Sequence, residues 1–109
     1  MESLASSARI RTVRSARMRA ASATMVVHAL DRDDGADHAR VAIVAGRVVG
    51  NAVRRNRAKR RLRAAAREAR LPASDLVVDA RRAAIDAPFE TLPRDLERLA
   101  AKARGGTVR

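Results

Sequence analysis

The segment from Arg54 to Arg63 is the feature that most restricts how this chain can fold. Seven of its ten residues are Arg or Lys, in the run RRNRAKRRLR. Like charges at helical spacing repel one another, so this density destabilises a helix that stands alone. Asn51 is a good N-capping residue ahead of the run, and the helical pattern continues to about Ala69. The segment is therefore predicted to be a helix with one side on a core and the other facing a polyanion.

Placed on a helical wheel, this segment separates into a cationic side and a side of small apolar residues. The cationic side covers an arc of about 100°, and its members are Asn56, Lys59, Arg60, Arg63, Arg67 and Arg70. The opposite side holds Ala58, Leu62, Ala65 and Ala69, and the stripe is flanked by Arg54, Arg57 and Arg61. Between residues 51 and 70 the only acidic residue is Glu68, so the stripe is not neutralised by its neighbours. Arg suits phosphate because its planar guanidinium donates two hydrogen bonds at once.

The whole chain has the same charge bias. Its 109 residues include 24 Lys and Arg against 12 Asp and Glu, which gives a formal net charge of +12. Such a charge favours nucleic acid or an anionic membrane surface as partner. A merely solvated helix face normally mixes both signs of charge. A helix lying on lipid needs large apolar residues opposite its charges, whereas this one has mostly Ala, so nucleic acid is the predicted partner.

The remaining elements follow from hydrophobic periodicity and turn residues. The pattern predicts helices over about 4–15, 51–69 and 89–104, strands over 24–30, 40–45 and 75–80, and an extra short strand near 17–21. The first two long strands are expected to form an antiparallel hairpin around the acidic turn 31–37. The last helix should bury a stripe of Phe89, Leu92, Leu96, Leu99 and Ala103. This α-β-β-α-β-α order predicts one α+β domain over residues 1–109, built as a small two-layer sandwich.

Several function classes are disfavoured by what the sequence lacks. There is no Cys, hence no disulfide and no thiolate metal site. No segment approaches the roughly 18 apolar residues of a membrane span, and the N-terminus lacks the apolar core of a secretory signal. Its Arg- and Ser-rich character also suits an organelle transit peptide, but the cytoplasm is the expected location. Neither His28 nor His38 lies in a catalytic motif, and the acidic turn is predicted to be solvated and free of metal.

The basic segment also resembles a known family. GNAVRRNRAKRRLR, residues 50–63, is similar to the signature of the bacterial ribonuclease P protein subunit, in which an Arg-Asn-Arg core precedes Lys-Arg and a further Arg. The resemblance extends to RVAIVAGRVVGNAV before the signature, DLVVDAR after it, the closing PFETLPRDLERL and the first helix. In that family the basic helix forms a left-handed crossover between parallel strands, a handedness that periodicity cannot reveal because most such crossovers are right-handed.

This resemblance implies a role in removing the 5′ leader from precursor tRNA. In the family, the RNA subunit is the catalyst and holds most of the magnesium, so no metal is expected to bind tightly to the protein alone. The expected partners are the catalytic RNA and precursor tRNA, and no membrane. The residues implied in RNA binding are Arg54, Arg55, Asn56, Arg57, Lys59, Arg60, Arg61, Arg63 and Arg67. Those implied in a leader cleft between the first helix and the sheet are Ile10, Val13, Arg14, Arg17, Val26 and His28.

The chain departs from the family pattern mainly in this cleft. Ile10 and Arg14 stand where the family usually has an aromatic pair, and Phe89 is the one aromatic among Phe, Tyr and Trp. Leader binding should therefore depend more on cations than on base stacking, which contributes roughly 1–3 kcal/mol per base. His28 is either a half-buried strand residue or a weak stacking platform.

Two other functions remain open at this point. A small basic ribosomal or architectural protein would share the charge and size, although it has no need of this signature spacing. A protein enzyme acting on phosphodiesters would need a cluster of His or carboxylate residues, and the sequence shows none.

Overall fold

The computed structural model of the chain describes residues 1–105. It contains three helices, which are α1 (Ser7–Ser15), α2 (Ala52–Glu68) and α3 (Thr91–Arg104). The strands are β1 (Glu2–Ser3), β2 (Arg19–Ala21), β3 (Met25–Asp31), β4 (Arg40–Val44) and β5 (Ser74–Ala80). Two 3₁₀ turns, Arg47–Val49 and Arg82–Ile85, follow β4 and β5. The predicted α+β class is confirmed.

The five strands form one sheet in the order β1-β4-β5-β3-β2. β4 and β5 are parallel neighbours connected through α2, so the basic helix forms a β-α-β crossover. β3 runs antiparallel to β5, and the short strand β2, which lies within the segment predicted near 17–21, pairs antiparallel with β3. The left-handed sense of the crossover stays a prediction.

The prediction of a hairpin between the first two long strands is wrong. β3 and β4 do not pair, because β5 lies between them and bonds to both. The sequence SDLVVDA of β5 is buried at nearly every position, and a strand covered on both faces belongs in the middle of a sheet. The turn residues of 31–37 correctly predict where β3 ends. They carry no information on which strand pairs with β3 and β4 across the sheet.

The sheet has a well-covered face and a thinly covered one. α2 and α3 pack on the first face and enclose the main core, to which β5 contributes Leu76 and Val78. This sheet-and-helix pair corresponds to the two predicted layers. On the opposite face, α1 covers a small cluster formed by Leu4, Val13, Ala42 and Val77.

The ends of two helices differ from the sequence prediction. α1 begins at Ser7 rather than near Leu4, because the Ser6 hydroxyl caps the helix by accepting a hydrogen bond from the Arg9 amide. Leu4 follows the unpredicted strand β1, and its amide bonds to the Val41 carbonyl at 2.9 Å. α3 begins at Thr91, and Phe89 precedes it as a half-buried residue packed against the core.

Candidate nucleic-acid interface

α2 presents its charges to solvent because its small apolar side is fixed on the sheet. The predicted cap is confirmed, since the Asn51 side-chain oxygen accepts a 3.0 Å hydrogen bond from the Arg54 amide. The buried residues of the helix are Ala58, Leu62, Ala65 and Ala66. Three of these four are Ala, whose small side chains allow a helix to pack closely on the layer beneath it.

The exposed arginines of α2 that have no protein partner are called here the free cationic face: Arg60, Arg63 and Arg67 on the outward side, and Arg54 in the first turn of the helix. All four residues are exposed, and none of their side chains forms an ion pair or side-chain hydrogen bond within the described part of the chain. Asn56 is exposed between them, and Lys59 is half-buried. Guanidinium groups without a protein partner can donate bidentate hydrogen bonds to phosphate oxygens.

Two signature arginines lie on the flank of α2 and have protein partners. Arg61 donates from one terminal nitrogen to the Ala84 carbonyl at 2.6 Å and from the other to the Ala87 carbonyl. Arg57 donates from Nε to the Ile85 carbonyl at 3.2 Å. Both were predicted to bind RNA from their position in the cationic run. In the structure Arg61, and in part Arg57, hold the 3₁₀ turn after β5, and RNA binding by these two residues stays a prediction.

Arg55 belongs to neither group. It is half-buried, and its Nε is a buried atom without a hydrogen-bond partner in residues 1–105. Its guanidinium therefore keeps one unused donor that is shielded from solvent.

A groove of about 810 Å³ runs beside α1 over the thinly covered face of the sheet. Arg14, Val26 and His28, three of the predicted cleft residues, line it. Sequence reasoning missed two of its cations, Arg11 and Arg19. The signal available for Arg19 was the alternation of the short strand β2, which leaves this residue exposed while its neighbour is buried.

The other predicted cleft residues lie elsewhere. Val13 is fully buried beneath α1, and Arg17 lines an adjoining hollow at the C-terminal end of the helix, which shares Arg14, Ser15 and Arg19 with the groove. Ile10 lies in a second, smaller pocket of about 240 Å³, whose rim carries Arg63 and Arg67 of the free cationic face. Residues Ile10 and Arg14 therefore face two different depressions, one on each side of α1.

His28 is buried rather than available for stacking. Its Nε2 lies 2.9 Å from Oδ2 of Asp79, and the same oxygen accepts a 3.2 Å hydrogen bond from Nε of Arg14. Asp79 therefore offsets part of the positive charge in the groove, which leaves Arg11 and Arg19 as its cations without an ion-pair partner among residues 1–105.

The acidic turn forms an internal ion-pair cluster at the other end of the sheet. Arg32 bonds to Asp34 at 2.6 Å and to Glu2 at 3.2 Å, and His38 Nε2 lies 2.8 Å from Glu2. The hydrogen bonds from Arg32 are the main reason that the pKa of Asp34 lies well below its ordinary value. Across residues 1–105, no three His, Cys, Asp or Glu side chains come together in a way that could hold a metal ion. No helix in this range is long and apolar enough to cross a membrane.

A parallel β-α-β crossover with an outward cationic helix, beside a groove along a short first helix, defines a small α+β protein whose exposed cations suit a polyanionic ligand. The family model for ribonuclease P matches residues 1–104. The ribonuclease P protein component of Nocardioides sp. is 51% identical over 84 residues, covering 73% of this chain and 72% of that protein. That of Symbiobacterium thermophilum is 46% identical over 81 residues, covering 72% and 70%.

Solved structures agree with the sequence comparisons. The RNase P protein of Staphylococcus aureus superposes with a TM-score of 0.75 at 25% identity, covering 95% of this chain and 96% of that one. The protein from Thermotoga maritima gives a TM-score of 0.72 at 25% identity, covering 95% and 97%. This chain belongs to the bacterial ribonuclease P protein family, and it is a protein component of the tRNA-processing ribonucleoprotein.

Proposed function

We propose that the chain binds the catalytic RNA of ribonuclease P through the free cationic face of α2 and holds the 5′ leader of precursor tRNA beside α1. The RNA subunit, with magnesium, then cleaves the phosphodiester bond and leaves the mature 5′ end. The observation that carries the proposal is the free cationic face itself. Four exposed arginines on one helix, without a carboxylate partner among the described residues, form a surface whose natural ligand is a chain of phosphates.

The leader assignment depends on the groove of about 810 Å³ beside α1. Its walls carry Arg11, Arg14 and Arg19, and its floor carries Val26, so it offers cations for phosphates and little aromatic surface for bases. Ion contacts weaken as salt rises, whereas stacking is much less sensitive to salt. Preference for a precursor over mature tRNA should therefore be modest and should fall as the salt concentration increases.

No part of the proposal assigns bond cleavage to a protein side chain. His28 and Asp79 are the one His-carboxylate pair that lines the groove in the described chain, and Asp79 bonds to both His28 and Arg14. The RNA subunit would hold the magnesium that the reaction needs. The complex would act in the cytoplasm.

Reconstitution tests the division of labour. Precursor tRNA is incubated with the protein alone, with the cognate RNA alone, and with both, over a magnesium titration. We expect the protein alone to leave the substrate intact, and the two together to cleave at the mature 5′ end at lower magnesium than the RNA alone needs. Cleavage by protein freed of all RNA would overturn the proposal in favour of a protein nuclease. An architectural protein would leave the magnesium requirement and the cleavage rate unchanged.

A further inference from the structure

The helix that borders the leader groove has few apolar anchors. Of the nine residues of α1, Val13 alone is fully buried. Ile10 is partly buried beside it. For comparison, α2 buries four residues and α3 buries six. Burial of apolar surface is the main term that holds a helix on a sheet, so α1 needs another attachment.

That attachment is a buried ion cluster centred on Asp75 at the start of β5. The Asp75 carboxylate is fully buried and accepts three short hydrogen bonds. Arg40 of β4 donates to its two oxygens at 2.6 and 2.7 Å, and Arg9 of α1 donates from Nε to Oδ2 at 2.7 Å. A terminal nitrogen of Arg9 donates to the Asp31 carbonyl at 2.8 Å. One carboxylate thus connects α1 to β4 and β5, and Arg9 extends the connection to the end of β3.

The cluster holds because each charge is paired. Burial by itself would raise the pKa of Asp75, but the hydrogen bonds and charges of Arg40 and Arg9 outweigh it and lower the pKa below its ordinary value. The carboxylate therefore stays ionised at neutral pH. Removing one partner of a buried ion pair leaves the other poorly satisfied, which is strongly destabilising locally.

The same helix forms one wall of the leader groove. Ala8, Thr12 and Ser15 line it together with Arg11 and Arg14. Arg9 lies on the other side of the helix, where it points toward the sheet and its side chain is 19% exposed. Loss of the Arg9 attachment would let α1 shift or tilt, and the groove wall would move with it.

We propose that Asp75, acting through Arg9, is a positioning residue for leader binding. It sets the place of α1 over the sheet and so keeps the groove cations where leader phosphates can reach them, without touching RNA itself. This inference rests on the proposed function of the groove.

The test uses holoenzyme reconstituted with the cognate RNA. The readout is the affinity ratio between a precursor with a five-nucleotide leader and mature tRNA. Asp75→Asn keeps the shape of the side chain and removes its charge, and Asp37→Asn removes one carboxylate charge from a fully exposed side chain as the matched control. A purely electrostatic effect of Asp75→Asn would tighten RNA binding, because the protein becomes more positive. A positioning role predicts the opposite, namely weaker binding of the leader in Asp75→Asn.

We expect Asp75→Asn and Arg9→Ala each to lower the ratio most of the way to one, with mature tRNA affinity within about twofold of wild type. The double variant should have about the same affinity ratio as either single variant, because both substitutions break the same linkage between Asp75 and Arg9. Arg9→Lys, which keeps the charge but not the forked geometry, should restore part of the ratio.

Two results would overturn the inference. One is an unchanged or raised ratio in both Asp75→Asn and Arg9→Ala, and the other is an additive double variant. If Asp75→Asn does not fold, Arg9→Ala decides the matter together with hydrogen exchange, which should accelerate in the amides of α1 and not in those of α2. A wild-type ratio of one would instead remove the proposed leader function, which separates that failure from failure of the positioning role.

Discussion

The flank and the outer face of α2 carry the same side chain for different purposes. On the flank, Arg61 donates to the carbonyls of Ala84 and Ala87 and so closes the turn that follows β5. On the outer face, Arg60 and Arg63 are exposed and have no side-chain partner among residues 1–105. The first kind of arginine stabilises the fold, and the second kind is the kind that we propose binds phosphate.

For the neighbours Arg60 and Arg61, position around the helix decides the role of the arginine. Arg60 and Arg61 are adjacent in sequence, yet about 100° of rotation separates them. A carbonyl group attracts a guanidinium without supplying a charge, so Arg61 keeps its full positive charge while two of its donors are used. Removal of an arginine from each group should therefore change different measurements.

The largest expected effect is on stability, from Arg61→Ala. This change removes two hydrogen bonds to backbone carbonyls from a half-buried side chain, and we expect the free energy of unfolding to fall by about 2 kcal/mol. Urea unfolding of the isolated protein measures it. Arg60→Ala is the matched control and should change stability by less than about 0.5 kcal/mol, as is usual for an exposed residue. Equal losses in the two variants would abolish the distinction between flank and face.

The next effect is on the salt dependence of binding to the catalytic RNA. If about six phosphates are contacted, the wild-type log–log slope should be very roughly −4 to −5. Arg60→Ala combined with Arg63→Ala should make it less steep by about 1.4, at roughly 0.7 per contact, while Arg61→Ala leaves it unchanged. Filter binding between low and moderate salt gives the slope. A slope near −1, or an unchanged slope in the double variant, would remove the face from the interface.

The sequence predicted much of α2 because local rules determine it. The Asn51 cap, the buried Ala and Leu side and the outward cations all follow from helical periodicity, and all are present. The hydrogen bonds from Arg61 to the turn after β5 could not be predicted from helical periodicity. Its partners are backbone carbonyls 23 and 26 residues away, and backbone groups carry no sequence signature.

Around α1 the prediction was less complete for a related reason. Val13 and Ile10 pack in the small cluster between α1 and the sheet, but a wheel cannot tell that Ile10 and Arg14 face different depressions. Asp75 and its partner Arg9 are 66 residues apart, so no local pattern connects them. The false hairpin had the same origin, because pairing of β5 with β3 and β4 is a long-range outcome.

A neutral change at the start of α2 separates helix stability from charge. Asn51→Ala removes the hydrogen bond to the Arg54 amide, and loss of an N-cap costs about 1 kcal/mol. We expect the free energy of unfolding, measured by thermal unfolding, to fall by that amount. The log–log salt slope for RNA binding should stay at the wild-type value. A slope that fell in this variant would mean that fraying of the helix, rather than loss of individual cations, controls the phosphate contacts.

The smallest effect, and the sharpest test of the division, concerns Arg57. It is exposed, and its one protein hydrogen bond is from Nε to the Ile85 carbonyl at 3.2 Å. Both terminal nitrogens are left for a ligand, so we expect Arg57 to belong to both groups. Arg57→Ala should lower the free energy of unfolding by about 0.5 kcal/mol and make the salt slope less steep by about 0.7. Arg57→Lys should keep the slope, since the charge remains, while losing the same stability. If Arg57→Ala lowers stability and leaves the slope intact, Arg57 acts with Arg61 to hold the turn. The RNA contacts would then begin only at the outer face of α2.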